Sequence, residues 1–331
     1  MHKGLLASII VITYNNADVI RQCVSSLLNQ SYPLKEIIVV YDQGSSDGTE
    51  DVIYKLLRTN PNSFVLKSTP HVSRSRARNI GWKDSLGEVL FFADADDVYH
   101  EDYLEKAISQ LASDTKMGGV CLTGASLVEG DNVVSMCMEA YSKIQQSIVE
   151  KGAFEPSWAW VYRREAIEKV DGFDEKLDQA EDKDLFIRVK KEGYNIGLIT
   201  GINWLHRRSS SLGQHLQKSY RGGKRRILFV AKHGKWGELT YHILPFWVLL
   251  ILAVLSSIST SLVISVLLCL VAVMTIRGVW MMSVVWGRMQ RKQYVFICPL
   301  FSLMAYLCSA VGHAHGLVAF CWNMIGKVID T

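Results

Sequence analysis

Asp42, Asp94, Asp96 and Asp182 stand where acidic side chains could do chemistry. Asp42 ends the apolar run Lys35–Tyr41, and Asp94 and Asp96 follow the run Glu88–Ala93 in the string D-A-D-D. If those runs are parallel strands, the three acids lie beyond strand carboxyl ends, where an open α/β sheet binds its ligands. Alternate residues of an extended segment face the same way, so Asp94 and Asp96 can point into one cleft. Their oxygens suit a hard cation, Mg2+ or Mn2+, that completes its shell with ligand phosphates rather than a full protein cage. Such an ion neutralises charge building on a leaving diphosphate. Asp182 follows Glu181 at the start of an expected helix, and a carboxylate there could take a proton from an acceptor hydroxyl. Each acid also has a plainer reading. Acids after strands are often turn or cap residues, and paired acids at a helix start are favoured by the helix dipole alone.

The elements that would position these acids can be read from the apolar pattern. Leu6–Thr13 (L-A-S-I-I-V-I-T) is short, apolar and β-branched, as a buried parallel strand is. Asn15 or Asn16 can cap the helix that follows, which turns Val19, Ile20, Cys23, Val24 and Leu27 inward. Lys35–Tyr41 is a second strand, and D-Q-G-S-S-D-G-T supplies turn residues and a helix start at Asp47–Glu50. A third strand is expected near Ser63–Lys67, a helix over Arg74–Ser85 and a strong strand over Glu88–Ala93. Met117–Met138 reads as two antiparallel strands. Beyond them come a strand at Ala159–Tyr162, a helix at Arg164–Val170 and a helix at Glu181–Glu192 ended by Gly193. Alternating strands and helices at this spacing begin an α/β open sheet.

The averages, 49% hydrophobic and 21% charged over 331 residues, conceal a division. Tyr241–Ile276 contains no Asp, Glu, Lys or Arg, and as one helix it would measure ~54 Å against a bilayer core of ~30 Å. Ser256, Ser257, Ser259, Thr260 and Ser261 near its middle suggest a hairpin of two spans, and a third apolar segment runs from Tyr294 to Val318. Transmembrane helices are thus expected at 241–258, 261–283 and 294–318. Lys218, Arg221, Lys224, Arg225, Arg226, Lys232 and Lys235 gather just before them, as on a cytoplasmic membrane face, although solvated basic loops look similar. A net charge of +4 is too small to argue for nucleic acid. Leu5–Ile12 is too short for a signal peptide, and the seven Cys form no C-x-x-C pair, so a reduced, cytosolic catalytic half is expected. Trp158 and Trp160 are read as core in preference to an acceptor site, and His313 and His315 as interfacial residues.

I-I-V-I-T-Y-N-N, V-V-Y-D-Q-G-S-S-D-G-T, S-R-A-R-N-I-G, F-F-A-D-A-D-D and A-E-D-K-D-L-F-I-R-V-K-K-E-G-Y occur in this order between Leu6 and Trp204. Together they resemble the inverting family 2 glycosyltransferases of GT-A fold. The resemblance implies a catalytic domain over 1–205 with a Rossmann-like open sheet, and the basic cluster and apolar segments add a basic amphipathic connector over 206–240 and an α-helical membrane domain over 241–331. It implies that Thr13, Tyr14 and Asn15 lie at the nucleotide and that Asp42 hydrogen-bonds the base. Arg78 would sit by the nucleotide or diphosphate, Asp94 by the ribose or sugar and also at the metal, Asp96 on the metal, and Asp182 as catalytic base. His206, in W-L-H, would be a further metal or diphosphate ligand, though it equally suits an ordinary surface position. Tyr41-Asp42-Gln43 replaces the paired acids of many relatives, which leaves uridine and guanosine both open.

The expected reaction is metal-assisted inverting transfer from a UDP- or GDP-sugar. The expected acceptor is a membrane lipid, polyprenyl or dolichyl phosphate, whose phosphate Arg207, Arg221 and Arg225 would hold. Extension of a lipid-linked oligosaccharide or polysaccharide is the rival within the enzyme class. A catalytically silent membrane assembly partner is the rival outside it. Homo-oligomerisation stays open.

Overall fold

The run A-S-I-I-V-I-T has almost no side chain that gains from water, and β1 (Ala7–Thr13) is buried at every position but Ile12. In the computed structural model residues 4–61, 63–123, 126–127, 134–135, 137, 160–177, 179–202, 204–206, 211–242, 247–248, 251–252, 260–261, 264 and 298–329 are described. The chain divides into two compact units, Met1–Glu129 with Ile148–Arg208, and Gly130–Ser147 with Ser209–Thr331.

In the first unit β1 sits between parallel neighbours β2 (Lys35–Asp42) and β4 (Val89–Asp94), and β3 (Val65–Thr69) extends the sheet beyond β2. Between these strands run the helices α1 (Ile20–Leu28), α2 (Thr49–Thr59) and α3 (Arg74–Lys83). The inward face expected for α1 is observed, with Ile20, Cys23, Val24 and Leu27 buried. Its expected side-chain cap is not. Asn16 Oδ1 instead accepts from the Tyr14 N–H, at 3.1 Å, and from the Thr13 hydroxyl, at 3.2 Å, which ties down the loop after β1. The complete sheet has the order β3-β2-β1-β4-β8-β6-β9, with β8 (Val161–Arg163) antiparallel to both its neighbours and β6 (Met117–Thr123) parallel to β9 (Asn195–Thr200). Strands β2 and β4 leave β1 on opposite sides, so the crevice at the carboxyl end of β1 is the topological switch point.

Among the described residues, the antiparallel pair expected within Met117–Met138 is not seen. Val120, Cys121 and Leu122 are all buried, the mark of an interior strand covered on both faces, and β6 takes a place between β8 and β9. A Cβ on Gly119 would stand 2.7 Å from the Tyr162 ring, so glycine is what lets the two strands close. Residues Ser126–Leu127 (β7) join a small second sheet of order β5-β10-β7, made with β5 (Asp97–Tyr99) and β10 (Trp204–His206). The helix α4 (Tyr103–Ser113) was not foreseen, and its Tyr103, Leu104, Ala107, Ile108 and Leu111 fill the core beneath β4 and β6. Trp160 packs on that core as expected, while Trp158 lies outside the described residues. Two further helices, α5 (Arg164–Lys169) and α6 (Glu181–Lys191), match the expected positions, and Gly193 follows with φ 88°.

The second unit contains α7 (Leu212–His233), α8 (Trp236–His242) and α9 (Cys298–Ile329). Helices α7 and α9 approach backbone to backbone at Gly223, Gly312 and Gly316, where any Cβ would meet the facing helix's carbonyl oxygens. Tyr220 Oη bonds His315 Nδ1 across the same seam, and the His315 side chain is exposed. Within α9, Leu303–Trp322 is long and apolar enough to cross a membrane, the one such segment among the described residues. It overlaps the third expected span. The spans expected at 241–258 and 261–283 lie almost wholly outside the described residues.

Candidate active site

Register fixes where the acids stand. Thr13 pairs with Tyr41, Ile12 with Asp94, and Asp42 with Thr69, so Thr13, Asp42 and Asp94 all close the same carboxyl edge of β1, β2 and β4. The convergence expected from the apolar runs is therefore present in the folded chain.

The edge is organised around a buried cation. Arg78 comes from α3, is 3% exposed, and donates Nη1–H to Glu181 Oε1 at 2.9 Å and Nη2–H to Asp94 Oδ1 at 3.0 Å. Its guanidinium carbon lies 5.3 Å from the centre of the Phe173 ring. Arg74, one turn earlier on α3, places a second guanidinium 3.7 Å from Glu181 Oε1. A buried charge is tolerated only when paired, and Arg78 is paired on both sides. Burial would discharge it, but the charges of Asp94 and Glu181 outweigh burial and keep it protonated. Burial alone would raise the Glu181 pKa, yet Arg78 and Arg74 hold the carboxyl below its ordinary range.

Asp182 is half-buried in the first turn of α6. Its pKa is raised, first by burial and then by the Glu181 charge beside it. A carboxylate shifted in that direction is a stronger base, as general-base catalysis requires. The entry to α6 is strained: Ala180 adopts φ 59°, ψ 27°, a left-handed conformation that costs a residue with a Cβ about 1–2 kcal/mol. The Arg78–Glu181 bridge holds that turn in place. Sequence reasoning missed this bridge, since no spacing rule links position 78 to position 181.

Around Asp94, the backbone N–H donates to Tyr99 Oη at 2.8 Å, and the Tyr99 hydroxyl reaches Asp97 Oδ2 at 3.3 Å. The last acid of D-A-D-D thus points inward and shapes the turn, while Asp94 and Asp96 remain partly exposed. A divalent cation fits the donor chemistry of Asp94 and Asp96, which are hard oxygens on one short turn. Among the described residues no third His, Cys, Asp or Glu groups with them, and a diphosphate and water would supply further ligands. His206 pairs through its backbone with Asp97 in the β5–β10 ladder, one residue from Asp96. Its side chain lies outside the described residues, and so does Arg207.

Loops after β1 and β2 are laced together. Asn15, at φ 51°, accepts the Ser46 N–H on Oδ1 at 2.8 Å and donates its own N–H to Ser45 Oγ at 3.2 Å. Asp42 Oδ1 accepts the Gly44 N–H and Oδ2 bonds His71 Nδ1, each at 2.8 Å. The Tyr14 ring lies 4.8 Å from that of His71. Sequence reasoning also missed His71; its one signal was its place just after β3, at the same sheet edge. Arg221 and Arg225 are exposed on α7 in the second unit.

The Glycosyl transferase family 2 profile matches residues 8–171, which hold the sheet edge and the D-A-D-D turn. Glycosyltransferase AglE of Haloferax volcanii is 27% identical over 228 residues, 66% of this chain and 72% of AglE. Chondroitin synthase of Pasteurella multocida is 28% identical over 200 residues, 58% of this chain but 20% of that protein. Among solved structures, the mannosyltransferase PcManGT of Pyrobaculum calidifontis, in complex with GDP-Man and Mn2+, superposes with a TM-score of 0.62. That alignment covers 95% of this chain and 88% of the other at 17% identity, a likeness of fold. With the acidic edge, the matched profile and the shared fold in agreement, the first unit of this chain has the GT-A fold, and its residues 8–171 carry the glycosyl transferase family 2 profile, which supports a glycosyltransferase that takes its sugar from a nucleotide sugar.

Proposed function

We propose that the protein is an inverting, metal-assisted glycosyltransferase that moves a sugar from a nucleoside-diphosphate sugar to a lipid-borne phosphate at the cytosolic membrane face. The observation that carries this reading is Arg78, bonded at once to Asp94 on the donor edge and to Glu181 beside Asp182. One buried cation thereby sets the donor-side acid and the candidate base in a common frame, and positioning of this kind converts an encounter into an oriented step.

In this reading Thr13, Tyr14, Asn15 and Asp42 line the nucleotide, Asp94 meets the ribose or sugar, and Asp94 with Asp96 would hold Mg2+ or Mn2+, with His206 as a third ligand. The bound ion would supply charge neutralisation for the leaving diphosphate. Arg78 serves the diphosphate indirectly, by holding Asp94 in place. Asp182, kept basic by burial and by Glu181, takes the acceptor proton, or orients an acceptor that is already ionised.

A lipid acceptor is supported by the second unit. The apolar segment Leu303–Trp322 of α9 is long enough for a bilayer, and α7 exposes Lys218, Arg221, Lys224 and Arg225. Arginine forks suit a lipid phosphate, and Arg221, Arg225 and Arg207 are assigned to it. Further spans at 241–258 and 261–283 complete the proposed anchor. The second reading, extension of a growing polysaccharide or lipid-linked oligosaccharide, is favoured by a relative named chondroitin synthase.

The test is incubation of the purified protein with a panel of nucleotide sugars and membrane lipid extract, followed by mass spectrometry. A monoglycosylated polyprenyl phosphate supports the proposal. A lengthened lipid-linked oligosaccharide supports the second reading, and an untouched panel refutes both.

A further inference from the structure

Three neighbouring loops meet beyond the carboxyl ends of β1, β2 and β3, carrying Tyr14, Asp42 and His71 respectively. Asp42 is buried, and both its oxygens have partners in the chain: Gly44 N–H on Oδ1 and His71 Nδ1 on Oδ2, each at 2.8 Å. A Cβ on Gly44 would stand 3.0 Å from Asp42 Oδ1 and 3.2 Å from His71 Cβ, so the turn is closed tightly over the acid. The imidazole, by contrast, has 66% of its side-chain surface open to solvent. Beside it lies the Tyr14 ring, at a centroid distance of 4.8 Å and a tilt of 45°, itself 46% exposed.

We propose that His71 is the residue that reads the donor's nucleobase, with Asp42 fixing its ring and Tyr14 flanking the base. This rests on the nucleoside-diphosphate donor of the preceding section. A carboxylate only accepts, so the hydrogen of the Asp42–His71 bond sits on Nδ1, and in the neutral ring Nε2 is left an acceptor. An acceptor at that point selects bases by their pairing edge. Uracil and guanine present a ring N–H there, at N3 and N1. Cytosine and adenine present a lone pair at the corresponding positions, which an imidazole acceptor repels. His71 therefore favours the uracil and guanine class over the cytosine and adenine class, and Asp42 acts through it as a positioning residue.

The experiment is calorimetric titration of the full chain in detergent, at pH 8 with Mg2+, using UDP, GDP, ADP and CDP. In the wild type, UDP or GDP binds at least about tenfold tighter than ADP and CDP, the size expected of one hydrogen bond gained against one lost. His71→Phe keeps a ring beside Tyr14 but has no acceptor. It weakens the preferred nucleotide about tenfold and brings all four to within about threefold of one another. Asp42→Asn weakens the same nucleotide, and the double variant is no weaker than His71→Phe alone, because the two residues act as one device. Melting curves by circular dichroism establish that each variant is folded. A folded His71→Phe that keeps wild-type discrimination overturns the role of His71 and leaves the donor reading standing. Wild-type protein that binds ADP or CDP as tightly as UDP and GDP overturns it as well. Binding of none of the four overturns the nucleotide donor and this inference with it.

Discussion

Replacing Arg78 by methionine keeps most of the side-chain volume and deletes the charge that joins Asp94 to Glu181. Glu181 is 5% exposed, and its remaining cation, Arg74, stands at 3.7 Å with about half its surface in water. Removing one partner of a buried ion pair costs about 3–5 kcal/mol, because the other charge stays desolvated. For a unit of this size that corresponds to roughly 10 °C in Tm at neutral pH. The pH dependence sharpens the expectation. In the wild type the Glu181 pKa is depressed, so its contribution is present above the unfolded carboxylate pKa and is lost as pH falls through the folded one. In Arg78→Met burial dominates and the folded pKa rises above the unfolded one. The variant then regains stability as pH falls and Glu181 is protonated. Thermal melts of both proteins between pH 4.5 and 8, followed by circular dichroism, give the difference in Tm at each pH. That gap is largest at pH 7–8 and narrows toward pH 4.5. A gap that does not vary with pH, or one worth under about 1 kcal/mol, refutes the buried-bridge reasoning.

Other variants probe the remaining assignments. Asp182→Asn should lower sugar transfer by about 10²–10⁴-fold with nucleoside diphosphate affinity unchanged by calorimetry; wild-type turnover would reduce Asp182 to a helix-end charge. In the wild type, the acidic limb of the kcat profile should lie above the ordinary aspartate range, because burial and Glu181 raise the Asp182 pKa; a limb inside that range counts against Asp182 as base. Asp96→Ala should abolish the response of turnover to Mg2+ and Mn2+ while the melting curve stays as in the wild type, and an unchanged metal titration removes Asp96 from the metal site. Arg221→Ala and Arg225→Ala should raise KM for a lipid phosphate in neutral detergent micelles, where no anionic bilayer contributes; indifference of KM there leaves these arginines as membrane-docking charges.

How much of this was legible depended on whether the information was local. The strands of the parallel half announce themselves through uninterrupted apolar runs, and an acid following such a run necessarily lands on the sheet edge. That is why Asp42 and Asp94 were found. The short strands β5 and β10 offer three residues each and no period long enough to read. β6 misled because burial on both faces removes the alternation that distinguishes a strand's partners. Arg78 was assigned to the nucleotide or diphosphate by resemblance; in the folded chain its Nη2 bonds Asp94 and its Nη1 bonds Glu181, the latter a contact across 103 positions that no local pattern encodes. The His71–Asp42 pair is of the same kind, since only the parallel register of β2 and β3 brings positions 42 and 71 together.

The central claim is displacement at the sugar's anomeric carbon by an acceptor that Asp182 serves. It is tested most directly by the anomeric configuration of the product. With a nucleotide sugar labelled by ¹³C at C1 and membrane lipid extract as acceptor, proton and carbon NMR of the lipid product give its configuration. The account predicts a single product whose anomeric configuration is opposite to that of the donor. A product of retained configuration, or label that never leaves the nucleotide, would contradict it.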